Sequence, residues 1–104
     1  MRYTHKSAYA EHVRLFQKAL ALLRRKRADY SGAEDPFGNF RQSERFGVEP
    51  WKGALIRMSD KVSRMYQLMS TDGKGKVLDE SLEDTVVDIL NYAVIIYQIY
   101  KETK

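Results

Sequence analysis

The chain has 104 residues, 43% of them hydrophobic and 31% charged, a balance typical of one small globular domain rather than a disordered chain or a membrane protein. Cysteine is absent, which excludes disulfides, thiolate nucleophiles, iron–sulfur clusters and zinc sites with cysteine ligands. The formal net charge is +4, but residues 1–30 carry a net +6 and residues 78–104 a net −4, so charge is unevenly distributed along the chain.

The sequence has no pattern of a targeting or membrane segment. The amino terminus is charged, but no apolar stretch of signal-peptide length follows it. The longest nearly apolar run, residues 92–97, is far shorter than a membrane span. We therefore expect a cytoplasmic protein without a membrane partner.

Apolar residues in the first third recur at helical spacing. The spacing predicts a helix over residues 7–29, with an apolar stripe of Tyr9, Val13, Phe16, Leu20 and Leu23 at steps of 4, 3, 4 and 3. Four consecutive cations at 24–27 fall where the dipole of this helix is negative, and Gly32 offers a stop.

Residues 31–49 lose this periodicity and contain four glycine or proline residues. They predict an irregular loop with one helical turn near residues 39–45. The segment also holds Phe37, Phe40 and Phe46, more phenylalanines than an exposed loop usually carries. We expect it to fold back onto the rest of the chain or to cover a ligand.

Two further helices follow, over residues 50–69 and 78–101. Pro50 suits the first turn of a helix, and the second helix carries an apolar stripe of Trp51, Leu55, Met58, Val62, Met65 and Met69. The third carries Leu82, Val86, Ile89, Ala93, Ile96 and Tyr100, widened by Val87, Leu90 and Val94.

Together the three helices predict an all-α antiparallel bundle that forms a single domain over residues 1–104. We expect the three methionines of the second helix to fill its core. The broad apolar surface of the third helix favours a homo-oligomer with that helix at the interface, although the central helix of a monomer would show the same pattern.

Acidic residues line one face of the third helix. Glu80, Asp84 and Asp88 share that face with Asn91, and carboxylates four residues apart repel one another, so a partner must compensate. The second helix offers two kinds of partner. Its cations can form interhelical ion pairs, or its Asp60 can join the three acids around a magnesium ion.

A second group of residues has the chemistry of a nucleotide site. Lys26 and Arg41 supply charge for phosphate, Tyr30, Phe37 and Phe40 supply flat rings for a base, and an amide such as Asn39 reads a base edge. The candidate ligand contacts are Lys26, Tyr30, Phe37, Asn39, Phe40, Arg41, Trp51, Arg57, Lys61 and Arg64. A loop whose aromatic side chains fill the end of the bundle is the alternative.

Four blocks between residues 26 and 100 resemble a known family. They are Lys26-x-x-Asp29-Tyr30-Ser31-Gly32, then Asp35-Pro36-Phe37-Gly38-Asn39-Phe40-Arg41, then Pro50-x-x-Gly53-x-x-x-Arg57-x-x-Asp60-Lys61-x-x-Arg64, and Glu80-Ser81-Leu82-x-Asp84-Thr85-x-x-Asp88-x-x-Asn91-Tyr92-Ala93. In this order they look like the small phage and bacterial domain called nucleotide modification associated domain 1. The resemblance implies nucleotides and phage biology, hence the cytoplasm of an infected bacterial host.

The first functional hypothesis is a phage nucleotide-binding protein. It would capture a nucleotide signal, such as a cyclic nucleotide of bacterial anti-phage defence, and hold it without hydrolysis. Capture needs phosphate-binding cations and rings but no catalytic residue and no required cofactor. We expect the pockets to form between subunits, because one small bundle offers little concavity.

Two alternatives remain. One is a magnesium-dependent enzyme similar to the all-helical nucleoside triphosphate pyrophosphatases. Those enzymes pair Glu-x-x-Glu with Glu-x-x-Asp on adjacent helices, and this chain departs from the pattern. The other is an accessory protein in phage nucleotide or DNA modification that acts through the basic first helix. Sequence-specific nucleic-acid binding is disfavoured, because no groove-reading module is present.

Overall fold

The computed structural model describes residues 1–30, 35–71 and 76–104, with the side chains of 27–30, 76 and 77 outside the description. It contains the α-helices α1 (His5–Tyr30), α2 (Pro50–Ser70) and α3 (Lys76–Glu102), and the 3₁₀ helix η1 (Gly38–Phe46). The described ranges contain no strand, so the all-α prediction is confirmed. None of the helices in these ranges is both long enough and apolar enough to cross a bilayer.

The segment between α1 and α2 is more regular than expected. A single helical turn was predicted there, but η1 has nine residues, so the described chain has four helices rather than three. Residues three apart share one side of a 3₁₀ helix, and this places the rings of Phe37 and Phe40 against the core. The helix ends at Gly47, whose φ of 71° is in the left-handed region that favours glycine. Phe46 is 83% exposed, so the prediction that this segment folds back is wrong for its last ring.

Helix α3 lies between the other elements. Both α1 and α2 pack against it, with the more extensive contact to α2, and η1 packs on α2. Contacts of Trp51 with Tyr100 and of Lys61 with Asp88 show that α2 and α3 run antiparallel. The core cluster is formed by Phe37, Phe40, Ala54, Ile95 and Ile99. It therefore joins η1 and α2 to the carboxyl-terminal half of α3.

Several predicted apolar stripes are only partly buried. Four of the five stripe residues of α1 are exposed, and only Leu23 packs against the core cluster. In α2, Met58 and Met65 are half-buried but Met69 is 60% exposed, so the expectation that all three methionines fill the core is wrong for Met69. Apolar spacing identifies residues that share a face, but a neighbouring element must cover that face to bury it.

Candidate functional site

The four helices meet at a cavity of about 250 Å³ that lies within one chain. Its walls come from the carboxyl-terminal half of α1, the start of η1 and the residues before it, the middle of α2 and one face of α3. The lining residues are Leu23, Lys26, Pro36, Asn39, Phe40, Arg57, Asp88, Asn91, Tyr92 and Ile95. A single chain thus offers the concavity that was expected between subunits.

Asp88 connects three helices at the wall of this cavity. Its Oδ1 lies 3.7 Å from the Nζ of Lys26 on α1, and its Oδ2 lies 3.1 Å from the Nζ of Lys61 on α2. The carboxylate side chain is only 19% exposed, and a carboxylate so covered needs a countercharge. Two ammonium groups so close would repel each other without it. Asp88 therefore holds Lys26 at the cavity, and the three groups together carry one net positive charge.

Arg57 brings a second cation to the cavity. Its guanidinium carbon lies 5.1 Å from the centroid of the Phe40 ring, which meets the ring of Tyr92 edge to face at 6.2 Å. Arg57 forms no ion pair within the described part of the chain. Its position is set by the ring beneath it, so its hydrogen-bond donors remain available to an anion.

Two amide side chains complete the polar lining. Asn91 donates a hydrogen bond from Nδ2 to the backbone oxygen of Ala19 at 2.9 Å, which ties α3 to α1. The Oδ1 of Asn39 is buried and accepts no hydrogen bond from the described residues. A buried acceptor without a donor costs about 1–3 kcal/mol. A ligand that supplies an N–H or O–H at this point would remove that cost.

Five of the predicted ligand contacts lie elsewhere or cannot be placed. Arg41 is held by Asp35 and Glu102, with its Nε 2.7 Å from the Oδ2 of Asp35. These hydrogen bonds raise the pKa of Arg41, and the hydrogen bond from Arg41 is the main reason why the pKa of Asp35 is lowered.

The other four have different surroundings. Phe37 is buried in the core cluster, while Trp51 packs edge to face on Tyr100 and donates from Nε1 to Glu49 at 2.5 Å. Arg64 is exposed and does not line the cavity. The side chain of Tyr30 lies outside the described residues. Of the ten predicted contacts, four line the cavity, namely Lys26, Asn39, Phe40 and Arg57, and Lys61 reaches it through Asp88.

The predicted magnesium ligands have different surroundings in the structure. Asp60 and Glu80 are exposed, and Asp84 pairs with Lys18 at 3.3 Å on the surface. No group of three or more histidine or acidic side chains in residues 1–30, 35–71 and 76–104 has the arrangement of a metal site. Asp88 alone of the four lines the cavity, where it forms the interhelical ion pair that was the alternative prediction.

Sequence reasoning missed two features, one at this site and one at the contact of α1 with α3. Tyr92 lines the cavity, and it had been noted only as part of the last motif. Glu83 binds Arg14 at 2.5 Å and Lys18 at 2.6 Å, and hydrogen bonds from these two cations lower its pKa to about 2. Glu83 is more than 60 residues from both partners in the sequence, so no local sequence pattern predicts these contacts.

Comparison of the chain with family models, with curated proteins and with solved structures finds no match. The resemblance to nucleotide modification associated domain 1 therefore stays a prediction. The function has to be argued from the cavity and its chemistry.

Proposed function

We propose that the cavity binds a small nucleotide and that the protein captures this ligand without hydrolysing it. The observation that carries the proposal is the buried Oδ1 of Asn39, which has no donor among the described residues and lies in the same cavity as Lys26 and Arg57. A ligand with a hydrogen-bond donor would satisfy the acceptor, and a ligand with a negative charge would bind the two cations. A nucleotide has both, since its base carries N–H groups and its phosphate is negative.

Each side chain has a defined role in this proposal. Lys26 and Arg57 bind the phosphate, with Arg57 providing the bidentate donors that suit phosphate oxygens. Phe40 and Tyr92 form aromatic walls beside the base, and Asn39 accepts a hydrogen bond from its edge. The cavity of about 250 Å³ is slightly below the usual 300–1,000 Å³ of small-molecule sites. It suits one mononucleotide, such as a cyclic nucleotide of bacterial anti-phage defence.

The contacts of Asp88 favour capture over turnover. It is the one carboxylate among the described lining residues, and both of its oxygens face lysine ammonium groups. A carboxylate used in this way positions cations and is a poor general base, because its oxygens are already engaged. Capture requires only binding groups, and the cavity contains cations, rings and amides.

Calorimetry tests the proposal with four ligands: 3′,5′-cyclic AMP, 3′,5′-cyclic GMP, AMP and uncharged adenosine, all without magnesium. We expect a nucleotide to bind and adenosine to bind much more weakly. Arg57→Ala should weaken nucleotide binding by about 10- to 100-fold, because a hydrogen bond to a charged group contributes about 1.5–3 kcal/mol. Arg64→Ala, the same change on the same helix outside the cavity, should bind like the unchanged protein.

Two results would contradict the proposal. If none of the nucleotides binds, or if Arg64→Ala weakens binding as much as Arg57→Ala, the cavity is not the nucleotide site. Chromatography of the ligand released by heat denaturation tests the second half of the proposal. An intact ligand supports capture, and a hydrolysed one would favour the pyrophosphatase alternative.

A further inference from the structure

Lys61 lies outside the cavity but contacts one of its walls. It belongs to the middle of α2 and is not one of the described lining residues. Its Nζ lies 3.1 Å from the Oδ2 of Asp88, which does line the cavity. The sequence predicts a direct contact between Lys61 and the ligand, whereas the structure connects this lysine to the cavity through Asp88. Lys61 can therefore affect a ligand by its effect on that carboxylate.

The two lysines hold Asp88 at unequal distances. The Nζ of Lys26 lies 3.7 Å from Oδ1, against 3.1 Å between the Nζ of Lys61 and Oδ2. Lys26 lines the cavity, so it is the lysine of this pair that a bound phosphate can meet. When Lys26 turns to an anion, Lys61 stays paired with Asp88. The carboxylate, which is largely covered, then keeps the countercharge that it needs.

Asp88 by itself opposes the binding of an anion. Its negative charge lies at the cavity wall, and charges near a protein surface interact more strongly than in bulk water. Lys26 and Asp88 alone would form a pair without net charge. Lys61 raises the net charge of the group to +1, so a phosphate meets one cation that this carboxylate does not balance.

We propose that Lys61 is a positioning residue, which neutralises Asp88 and so makes Lys26 available to the phosphate of the ligand. The inference rests on the proposed function, because it assigns a residue that acts on the same ligand. Without a ligand, Asp88 pairs with both lysines. With a nucleotide bound, Lys61 retains Asp88 and Lys26 pairs with the phosphate. Only ionic contacts are exchanged, and no covalent bond forms or breaks.

The proposal predicts opposite effects for the two sides of one ion pair. Lys61→Gln lowers the net charge of the three groups to 0 and should weaken nucleotide binding about 2- to 5-fold. Asp88→Asn raises that charge to +2 and should strengthen binding by a similar factor, although it destabilises the protein without ligand. The double variant returns to +1 and should bind like the unchanged protein. Residues that only support the fold would weaken binding in both single variants, and combining the substitutions would not restore it.

Calorimetry at low salt measures these affinities, with the nucleotide that the unchanged protein binds most tightly among 3′,5′-cyclic AMP, 3′,5′-cyclic GMP and AMP. Lys52→Gln and Asp60→Asn are the matched controls, because both are exposed positions of α2 outside the cavity. They should bind the nucleotide like the unchanged protein. Added salt screens charge, so it should reduce the differences between the variants of Lys61 and Asp88. Thermal unfolding of the same samples checks that every variant is folded.

The inference is overturned if Lys61→Gln binds as well as the unchanged protein, if Asp88→Asn binds more weakly, or if the double variant binds no better than Lys61→Gln. The proposed function survives each of these results as long as a nucleotide binds and Arg57→Ala weakens that binding. If the unchanged protein binds none of the three nucleotides, the proposed function and this inference are both wrong.

Discussion

Among the residues that the structure describes, Asn39 carries the buried side-chain polar atom that has no hydrogen-bond partner. Its position in η1 places the amide at the cavity, yet its Oδ1 is buried without a donor in the described chain. Natural proteins accept such a cost at binding sites, where stability is exchanged for affinity.

We predict that Asn39→Leu raises the stability of the ligand-free protein and weakens nucleotide binding. Leucine has a similar volume and no acceptor, so the cost of the unsatisfied oxygen, about 1 kcal/mol or more, disappears. Thermal unfolding without ligand should show a higher Tm, and calorimetry should show a lower affinity. The control is Asn39→Ala, which also removes the acceptor but opens a void and should gain less stability. A lower Tm for Asn39→Leu would mean that the amide is satisfied in solution.

At the scale of elements, a network of ion pairs connects α1 to α3. Arg14 and Lys18 both bind Glu83, near the end of the molecule opposite to the core cluster. The Glu83 side chain is 28% exposed, so the network is partly protected from solvent. These contacts hold the part of α1 whose own apolar stripe faces away from α3.

We predict that this network makes the stability of the protein depend on pH below about 4.5. The folded-state pKa of Glu83 is lowered from 4.5 to about 2, so its contribution is complete above 4.5 and is lost as the pH falls towards 2. Urea unfolding between pH 6 and pH 3 should therefore show a smaller loss of stability for Glu83→Gln than for the unchanged protein. Glu44→Gln, an exposed change on η1, is the control and should leave the slope unchanged. Equal slopes for all three proteins would show that the network does not persist in solution.

The sequence predicts where each α-helix begins and ends, but it does not predict which helix faces are buried or which residues pair between helices. The apolar spacing and Pro50 place each α-helix within two residues of where the structure has it. The exposure of Phe16 could not be predicted, because periodicity does not say which face a neighbour covers. The pairing of Lys26 with Asp88 was equally inaccessible, since it depends on how α1 crosses α3. The long 3₁₀ helix was missed because the glycines and the proline near Phe40 indicate a loop.

At the scale of the whole molecule, Asp88 links the three α-helices. Its two lysine partners lie on α1 and α2, which otherwise make most of their contacts with α3 and not with each other. The carboxylate therefore contributes to the arrangement of the bundle as well as to the cavity.

We predict that Asp88→Asn lowers the stability of the protein by about 1–2 kcal/mol, because it leaves two lysine ammonium groups close together without a countercharge. Both lysines are partly exposed, which keeps the effect below that of a fully buried pair. Urea unfolding at low and high salt measures the change, and added salt should restore part of it by screening the repulsion. Asp60→Asn, an exposed acid on α2, should have almost no effect. A salt-independent loss for Asp88→Asn would point to packing rather than charge.

Helix α1 contributes Lys26 to the cavity wall and the stripe around Phe16 to the outer surface. Because both lie on one helix, a partner that bound the stripe and shifted α1 would also shift Lys26 relative to Asp88. Thermodynamic linkage would then require such a partner and a ligand in the cavity to change each other's affinity by the same factor.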